Sequence, residues 1–449
     1  MRILIADSAA GGAQITIECA TDKNDECACA PFDLHDQPEL AANLLDAAGM
    51  ALLNRGCLDE GGPLIEQARA LRRQFFGKHH PAVAASQNSY SRLKRERGDY
   101  KAAEAAVREA LKINRDVFGA KSLQFATSLY HLGANQLDQG DFDAAEGTAI
   151  KGLEIMQCLG AAANDPNHTR LLEIRGRAEL NLRKVLQAVA TYTQLLERDV
   201  EELGTRDHFK YMTHVANFGC VEEARGHVEH AQRAYREAID FFVNRFKRPC
   251  HPSLIDIYAN LGSLLRADRN PKNDKEAGEL FRKALELDQK VRGAGHVLVA
   301  NDHANLGRWQ YDTKDTRGAV ASFSTAIDVY EQNVKEGELP PEHFFLAEAR
   351  TWKGRTLVET GSPEGAAQAQ PLLELAIIHW PAQLGSDSIG EGVAKACLGQ
   401  ALFLQGTDAG RGCELLCQGY EIVKNKCPDS AFAERVKGWI AQQGCKCGC

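Results

Sequence analysis

The chain has 449 residues, too many for one ordinary hydrophobic core. Its composition, 44% hydrophobic and 25% charged, is typical of a folded, water-soluble protein. The net charge of -8 disfavours nucleic acid as a general partner, because phosphate binding needs a basic face. No run approaches the roughly 20 apolar residues of a membrane helix, and the 14 scattered cysteines predict free thiols in a reducing cytoplasm.

The first 37 residues lie outside the pattern that fills the rest of the chain. Ile15-Thr16-Ile17-Glu18 alternates like a short strand, and Arg2 to Ala6 could pair with it across Gly11-Gly12. Because an isolated hairpin is marginally stable, this segment either packs on the first repeat or is disordered. Met1 to Ala6 is too short for the apolar part of a signal peptide.

A repeat of 42 to 43 residues occupies residues 38–443. Its clearest copies are RERGDYKAAEAAVREAL and LDQGDFDAAEGTAIKGL, whose Gly98-Asp99-Tyr100 and Gly140-Asp141-Phe142 steps correspond. Each copy predicts two helices joined by a tight turn. In that turn, Gly ends the first helix in a left-handed conformation and Asp caps the second.

Small residues recur at one phase of each predicted first helix. They are Gly49, Ser91, Gly133, Gly176, Gly219, Gly262, Gly307, Gly354 and Gly399. A helical Gly is about 1 kcal/mol less favourable than Ala, so nine small residues at one phase need a packing reason. Alanines of the second helices are followed four places later by Tyr192, Tyr235, Phe281 and Phe323. We expect the two helices to cross closely at the small residue, with the large side chain filling the groove beside it.

This pattern resembles tetratricopeptide repeats. The longer period, the Gly-Asp-aromatic turns and the connector from Gly77 to Ala84 resemble the kinesin light chain type. No heptad coiled coil precedes the repeats, so the resemblance implies the repeat type and not the motor role. The expected fold is all-α: a right-handed α-solenoid of about nine helical hairpins after a short non-repeat N-terminal segment.

Three features interrupt or end the repeats. Longer connectors surround residues 269–273 and span residues 361–370, and both are expected to protrude as loops. Residues 430–443 read as a capping helix with a polar face. A cysteine-rich tail, 444–449, follows it.

The concave side of such a superhelix presents the first helices, as the resemblance implies. Asn217, Asn260 and Asn305 lie two residues before the repeat Gly, and Arg177, Arg308 and Arg355 lie one residue after it, with Asn301 and Arg266 on nearby faces. Amides can hydrogen-bond an extended peptide and guanidinium groups can bind carboxylates, so these eight residues are the candidate peptide-binding groove. Solvated polar residues, or bonds between neighbouring repeats, explain the pattern equally well.

We find no sequence motif for catalysis. There is no nucleotide-binding loop, no nucleophile elbow and no His-Glu-x-x-His motif. His227 and His230 are three apart on a helix and could bind a metal, although such pairs are more often simply solvent-facing. No catalytic residue and no cofactor is predicted.

The tail carries Cys445, Cys447 and Cys449, and Cys27 and Cys29 repeat the spacing near the other end. Three clustered thiolates could bind Cu(I) or Zn(II), form a redox pair or carry lipid, or the tail could be a flexible end without a role. Cys413 and Cys417 share one helix face and are expected to be small buried residues.

Two functions therefore compete. The leading hypothesis is a non-enzymatic, cytoplasmic scaffold that binds, in its groove, an extended or helical segment of a partner protein with some acidic character. The alternative is a metal-binding or thiol-redox protein that acts through the Cys445-Cys447-Cys449 tail. An enzyme hidden in the groove has no support in the sequence, because open solenoids rarely enclose a dry pocket.

Overall fold

The structure is a computed structural model that describes residues 2–7, 13–18, 32–33, 37–54, 57–160, 165–268, 270–337, 339–384, 388–428 and 430–447. Its backbone divides into two compact units, Met1–Pro252 and Ser253–Cys449. We refer to them as the first unit and the second unit. Both are built from helical hairpins.

The first unit opens with three short strands. They are β1 (Arg2–Asp7), β2 (Ala13–Glu18) and β3 (Phe32–Asp33). β1 runs antiparallel to β2, with Ile3 opposite Ile17 and Ile5 opposite Ile15, and β2 pairs in turn with β3.

Five helical hairpins follow in the first unit. Their helices are α1 (Pro38–Leu53), α2 (Leu58–Phe76), α3 (Pro81–Glu96), α4 (Tyr100–Phe118), α5 (Leu123–Asp138), α6 (Phe142–Cys158), α7 (Pro166–Asn181), α8 (Val185–Leu203), α9 (Phe209–Ala224) and α10 (Val228–Asp240). A π-helical turn, Phe241–Arg245, extends α10.

The second unit contains four hairpins and a last helix. Its helices are α11 (Ser253–Ala267), α12 (Pro271–Arg292), α13 (Val297–Asp312), α14 (Thr316–Lys335), α15 (Phe344–Val358), α16 (Pro363–Leu384), α17 (Ile389–Gln405), α18 (Ala409–Lys426) and α19 (Ala431–Gln443). The described residues thus form nine hairpins and one additional helix, and the predicted all-α solenoid is confirmed. None of these helices combines the length and apolar character that crossing a bilayer requires.

The predicted turn chemistry is present in the structure. Gly98 and Gly140 have φ angles of 82° and 79°, in the left-handed region that favours glycine. The carboxylates of Asp99 and Asp141 then accept hydrogen bonds from the backbone N–H groups of the residues three positions later. These bonds satisfy amides at the start of α4 and α6 that have no partner inside the helix.

Four of the repeat glycines pack against the aromatic residues of the second helices, as the pattern predicted. A methyl group added at Gly176 would lie 2.7 Å from a ring carbon of Tyr192, and one at Gly219 would lie 2.9 Å from the ring of Tyr235. Tyr192 and Tyr235 are almost fully buried. The small residue therefore makes room for the ring, which explains why glycine is used there despite its low helix propensity.

The expectation of two protruding loops is wrong. Pro271 and Pro363 begin α12 and α16, each 22 residues long, so the additional residues lengthen the second helices. Proline suits a first helical position because its missing N–H would have no partner there. Asn270 caps α12 by accepting a hydrogen bond from the backbone N–H of Lys272.

Candidate functional site

Two of the eight predicted groove residues belong to the first unit. Arg177 of α7 is exposed, and Asn217 of α9 is half-buried. The Asn217 amide donates a 3.5 Å hydrogen bond to the Glu173 carboxylate, which also lies 3.5 Å from Nε2 of His214. Asn217 therefore belongs to an ionic cluster that connects α7 and α9.

The three predicted asparagines of the second unit have different surroundings. Asn260 of α11 and Asn305 of α13 are half-buried. The side-chain oxygen of Asn301 accepts a hydrogen bond from the hydroxyl of Tyr330, a fully buried residue of α14. Asn301 therefore helps to hold its own hairpin together.

Each predicted arginine of the second unit lies beside a carboxylate of the same unit. The N···O distances are 2.6 Å for Arg266–Asp312, 3.0 Å for Arg308–Glu348 and 2.9 Å for Arg355–Glu359. An acidic ligand at these positions would share each guanidinium group with a carboxylate that is already in place. The three arginines therefore offer hydrogen-bond donors with little net positive charge.

A pocket of about 950 Å³ opens beside these arginines, on the first helices of the second unit and the start of α19. Five aromatic residues dominate its lining: Tyr311, Phe344, Trp352, Trp380 and Phe432. Arg266, Asp312 and Glu348 add charged groups to the same lining. Its size and its mixture of rings with a few polar groups are typical of ligand-binding pockets.

Arg355 lies among three of these rings. Its guanidinium carbon is 4.2 Å from the ring centroid of Phe432, 5.0 Å from that of Tyr311 and 5.2 Å from that of Trp352. These separations are within the range of cation–π attraction. Burial, together with the hydrogen bond to Glu359, raises the pKa of Tyr311 to about 12, so its hydroxyl stays protonated and donates to Glu359 over 2.6 Å.

The last helix, α19, forms one wall of the pocket. Phe432 is buried, and Arg435 forms an ion pair with Glu359 of α15. The Arg435 guanidinium also donates a 3.4 Å hydrogen bond to the hydroxyl of Tyr311. α19 therefore contacts the first helices directly, in addition to ending the stack.

Two disulfides anchor the segment that follows α19. They join Cys413 to Cys445 and Cys417 to Cys447. The expectation that the cysteines are free, reduced thiols is therefore wrong for these four, and so is the expectation that Cys413 and Cys417 are plain packing residues. The i, i+4 spacing in α18 places both sulfurs on one helix face, opposite the i, i+2 pair of the extended tail.

This pairing also bears on the predicted metal ligands. Cys445 and Cys447 have no thiolate to offer while they are oxidised, and Cys449 lies outside the described residues. The predicted Cys-Cys-Cys site therefore requires the reduced tail. The disulfides also remove the argument from scattered free thiols on which the cytoplasmic expectation rested.

A separate basic cluster lies on the first helices of the first unit. Burial and the guanidinium groups of Arg95, Arg92 and Arg170 lower the pKa of His131 to about 3. Arg95 is 3.2 Å from Asp138, and Arg170 lies over the ring of Tyr130 at 5.4 Å. Arg92 and Arg95 also lie 3.9 and 3.6 Å from the Glu96 carboxylate, so an anionic ligand would share these two guanidinium groups with carboxylates already in place.

Comparison with known proteins agrees with this architecture. A family model described as a tetratricopeptide repeat matches residues 40–116 and 254–332. The chain contains tetratricopeptide repeats. This confirms the predicted repeat family, and the matched segments cover hairpins in both units. No curated protein matches the sequence.

Solved structures with tetratricopeptide repeats are similar to this chain. A signal transduction ATPase with a tetratricopeptide repeat sensor, from Pyrococcus horikoshii, is 12% identical over 89% of this chain and 56% of its own, with a TM-score of 0.53. The apo form of RapI is 11% identical over 81% and 93%, with a TM-score of 0.52. Kinesin light chain repeats of Podosopora anserina are 18% identical over 49% and 98%, with a TM-score of 0.39.

The aromatic pocket of the tetratricopeptide stack was not predicted, although the sequence shows which repeat positions two of its rings occupy. Trp352 lies two residues before Gly354, which is the position that Asn260 and Asn305 occupy in their own repeats. Tyr311 follows its repeat Gly by four residues, as Arg266 follows Gly262. The register therefore predicts both rings on the same face as the predicted groove residues, which are all polar.

Proposed function

We propose that this protein is a non-enzymatic interaction scaffold whose second unit binds a peptide segment of a partner protein. The observation that supports this most directly is the pocket lined by Trp352, Tyr311 and Phe432. A large apolar side chain of the partner would enter between these rings. Aromatic residues dominate the energetics of protein interfaces because they bury a large area and lose little side-chain entropy.

The polar residues of the predicted groove suit a peptide backbone. Asn260 and Asn305 carry amides that can both donate and accept hydrogen bonds. The paired Arg266 and Arg308 add donors without a strong net charge. In this proposal the rings supply affinity, whereas the amides and the ion pairs fix the orientation of the segment.

A second group of arginines lies in the first unit. Burial and the positive charges of Arg92, Arg95 and Arg170 lower the pKa of His131, which stays neutral. We propose that acidic side chains of a partner bind this cluster. Binding there would weaken as salt rises, because exposed charges are screened over about 10 Å at 0.1 M ionic strength.

A structure of similar fold offers a precedent. A Rap protein that covers 81% of this chain at 12% identity, with a TM-score of 0.50, was solved in complex with Competence and Sporulation Factor. We extend only the idea of a bound partner to the present chain. The residues that would bind it are those of the aromatic pocket.

The test uses two matched substitutions in the full chain. Ile389 lines the pocket and is 43% exposed, whereas Ile378 lies in α16 outside the pocket lining and is 67% exposed. A phage-displayed random peptide library is selected on the wild-type protein. Selected peptides are then measured against Ile389→Lys and Ile378→Lys.

The proposal expects peptides rich in large apolar residues that bind the wild type and Ile378→Lys equally. Ile389→Lys should weaken them at least about tenfold, because a charge would have to be buried beside the ligand. Selection of no peptide, or equal binding by both variants, would overturn the proposal. Both positions are exposed enough for lysine to be tolerated, so folding is preserved.

The disulfides favour a second function, thiol-redox chemistry at the tail. We propose that cellular thiols such as glutathione reduce Cys413–Cys445 and Cys417–Cys447 by thiol–disulfide exchange, two thiols becoming one external disulfide for each bond broken, and that this releases residues 444–447 and frees thiolates for a metal. The test equilibrates the full chain in glutathione buffers and counts free thiols by mass spectrometry. Disulfides that stay intact at cellular glutathione ratios would contradict it.

A further inference from the structure

Glu222, His227 and His230 converge at the turn between α9 and α10. Their ligand atoms all lie within 4.8 Å of one another. The Glu222 side chain is 7% exposed, whereas His227 and His230 are 44% and 57% exposed. The cluster therefore has a buried base and an open, solvent-facing side.

Four of the other hairpin turns differ from the turn at His227. In four other hairpins this position holds an aspartate, namely Asp99, Asp141, Asp315 or Asp408, which accepts a hydrogen bond from a backbone N–H of the following helix. At α10 the His227 side chain makes no such bond. Its Nδ1 instead lies 2.8 Å from Oε2 of Glu222.

The backbone fixes the three residues relative to one another. Gly226 adopts a φ of 80°, so the chain reverses directly after α9. The His227 N–H donates to the Glu222 carbonyl over 2.8 Å, and the His230 N–H donates to the His227 carbonyl over 3.0 Å. A metal would therefore meet ligands whose main chain is already ordered.

Two of the three donor separations are close to those around a tetrahedral ion. Ligand atoms at about 2.0–2.1 Å from Zn²⁺ lie about 3.3 Å apart at the tetrahedral angle. The Glu222 Oε2 atom is 2.8 Å from Nδ1 of His227 and 3.3 Å from Nδ1 of His230. The ligand atoms of the two histidines lie within 4.8 Å of each other, so the imidazoles would move closer together to bind one ion.

Arg225 orients the carboxylate. Its guanidinium lies 2.7 Å from Oε1 of Glu222, which leaves Oε2 directed at both imidazoles. Arg225 therefore acts as a second-layer partner of the kind that tunes metal sites.

We propose that Glu222, His227 and His230 bind one divalent transition-metal ion of the Zn²⁺ class, with at least one coordination position open to solvent. Two imidazoles and a carboxylate suit Zn²⁺ and its neighbours, whereas Mg²⁺ and Ca²⁺ prefer an all-oxygen set. This site lies in the first unit, is independent of the cysteine tail, and does not depend on the proposed peptide binding. The open position could accept a side chain from a bound partner.

The test titrates ZnCl₂ into the oxidised full chain by calorimetry and repeats the titration with CoCl₂ followed by absorption. His227→Asn and His230→Gln each remove one ligand, and asparagine is itself a good helix cap, so the turn is retained. Glu222→Gln removes the carboxylate charge. His79→Gln, at an exposed histidine outside the cluster, is the matched control.

The proposal expects one equivalent of Zn²⁺ that is lost in all three cluster variants and kept in His79→Gln. Cobalt should give visible d–d bands without the sulfur-to-metal charge-transfer band that cysteine ligation produces. Zinc should also raise the thermal midpoint of the wild type and leave that of His230→Gln unchanged. Stoichiometry that is unaffected by the cluster variants, a thiolate spectrum, or no binding would each overturn the proposal.

Discussion

Arg355 of α15 stacks over the ring of Phe432 in α19, with 4.2 Å between the guanidinium carbon and the ring centroid. This contact joins a predicted groove residue to the terminal helix. α19 is therefore part of the candidate binding surface as well as a cap that covers the last hairpin.

Phe432→Ala should loosen α19. Phe432 is buried, and replacing a buried Phe by Ala lowers stability by about 3 kcal/mol or more, which raises the equilibrium constant for local opening about a hundredfold. Amide hydrogen exchange in Ala431–Gln443 should rise accordingly, whereas Phe345→Ala, at a more exposed ring of α15, should leave it unchanged. Unchanged exchange in Phe432→Ala would show that the disulfides alone hold the helix.

Loss of the disulfides should destabilise the end of the second unit. Cys413 and Cys445 are 32 residues apart in sequence, and closing a loop of that size stabilises by about 3–4 kcal/mol in the chain-entropy model. The second bond then closes only a short additional loop, so it adds less. We expect Cys413→Ser/Cys445→Ser to lower the denaturation midpoint of the second unit more than a further Cys417→Ser/Cys447→Ser change does.

The stability of the first unit should fall in alkali. His214 is buried 2.5 Å from Asp199; burial alone would lower its pKa, but Asp199 and Glu173 outweigh it and raise the pKa to about 9. Protonated His214 therefore stabilises the folded state. Its contribution, on the order of 3 kcal/mol, is complete below the pKa of the unfolded chain, near 6.5, and is lost as pH rises through about 9.

The measurement is urea unfolding at pH 7 and pH 10. All four tryptophans lie in the second unit, so circular dichroism reports both units and tryptophan fluorescence reports the second. The unfolding transition of the first unit is therefore the one seen by circular dichroism and not by fluorescence. His214→Gln should make the midpoint of this transition less dependent on pH. An equal pH dependence in this variant would assign the effect to other groups.

Asp302→Asn should stabilise the second unit at neutral pH. Asp302 and Asp288 are both buried and share a hydrogen bond; burial and the charge of Asp288 raise the pKa of Asp302. A carboxyl whose pKa is raised by folding destabilises the folded state once pH exceeds the ordinary pKa of the group. The full loss is about 1.4 kcal/mol per unit of pKa shift. Asparagine keeps a hydrogen-bonding group without the charge, so the fluorescence-detected midpoint should rise at pH 8 and change little at pH 4.

Two glycine substitutions should have opposite effects. The Cβ atom of an alanine at Gly176 would lie 2.7 Å from the Tyr192 ring, whereas the Cβ atom of an alanine at Gly147 in α6 would have no neighbouring atom within 4 Å. Gly147→Ala should stabilise by about 0.5–1 kcal/mol through helix propensity. Gly176→Ala should destabilise by about 1–3 kcal/mol through overpacking, measured by urea unfolding. Similar effects of both substitutions would contradict the packing role of the repeat glycine.

The sequence predicted the repeated fold because every repeat encodes it again. The Gly-Asp turns, the small residues and the rings four places after the alanines each depend on neighbours a few residues away or on one crossing helix. The loop expectation at residues 361–370 failed because a Pro-led helix start and a loop share the same turn-forming residues.

The candidate sites depended on contacts that no local pattern contains. Arg355 was predicted as a ligand-binding cation, but its carboxylate partner Glu359 and its stacking on Phe432 follow from how α15 and α19 pack. Similarly, His227 and His230 were visible in the sequence, whereas the chain reversal at Gly226 brings Glu222 to them.

The sequence by itself determined the helical hairpins, their period and the face that each first helix presents, because those properties follow from local periodicity and turn chemistry. Only the tertiary structure decided which of those side chains meet. It placed Arg435 on Glu359, across 76 residues of sequence, and joined the tail to α18 through two disulfides. The physical reason is that side-chain pairing depends on how helices from different repeats pack together. The repeat pattern does not specify which polar side chains face each other between those helices.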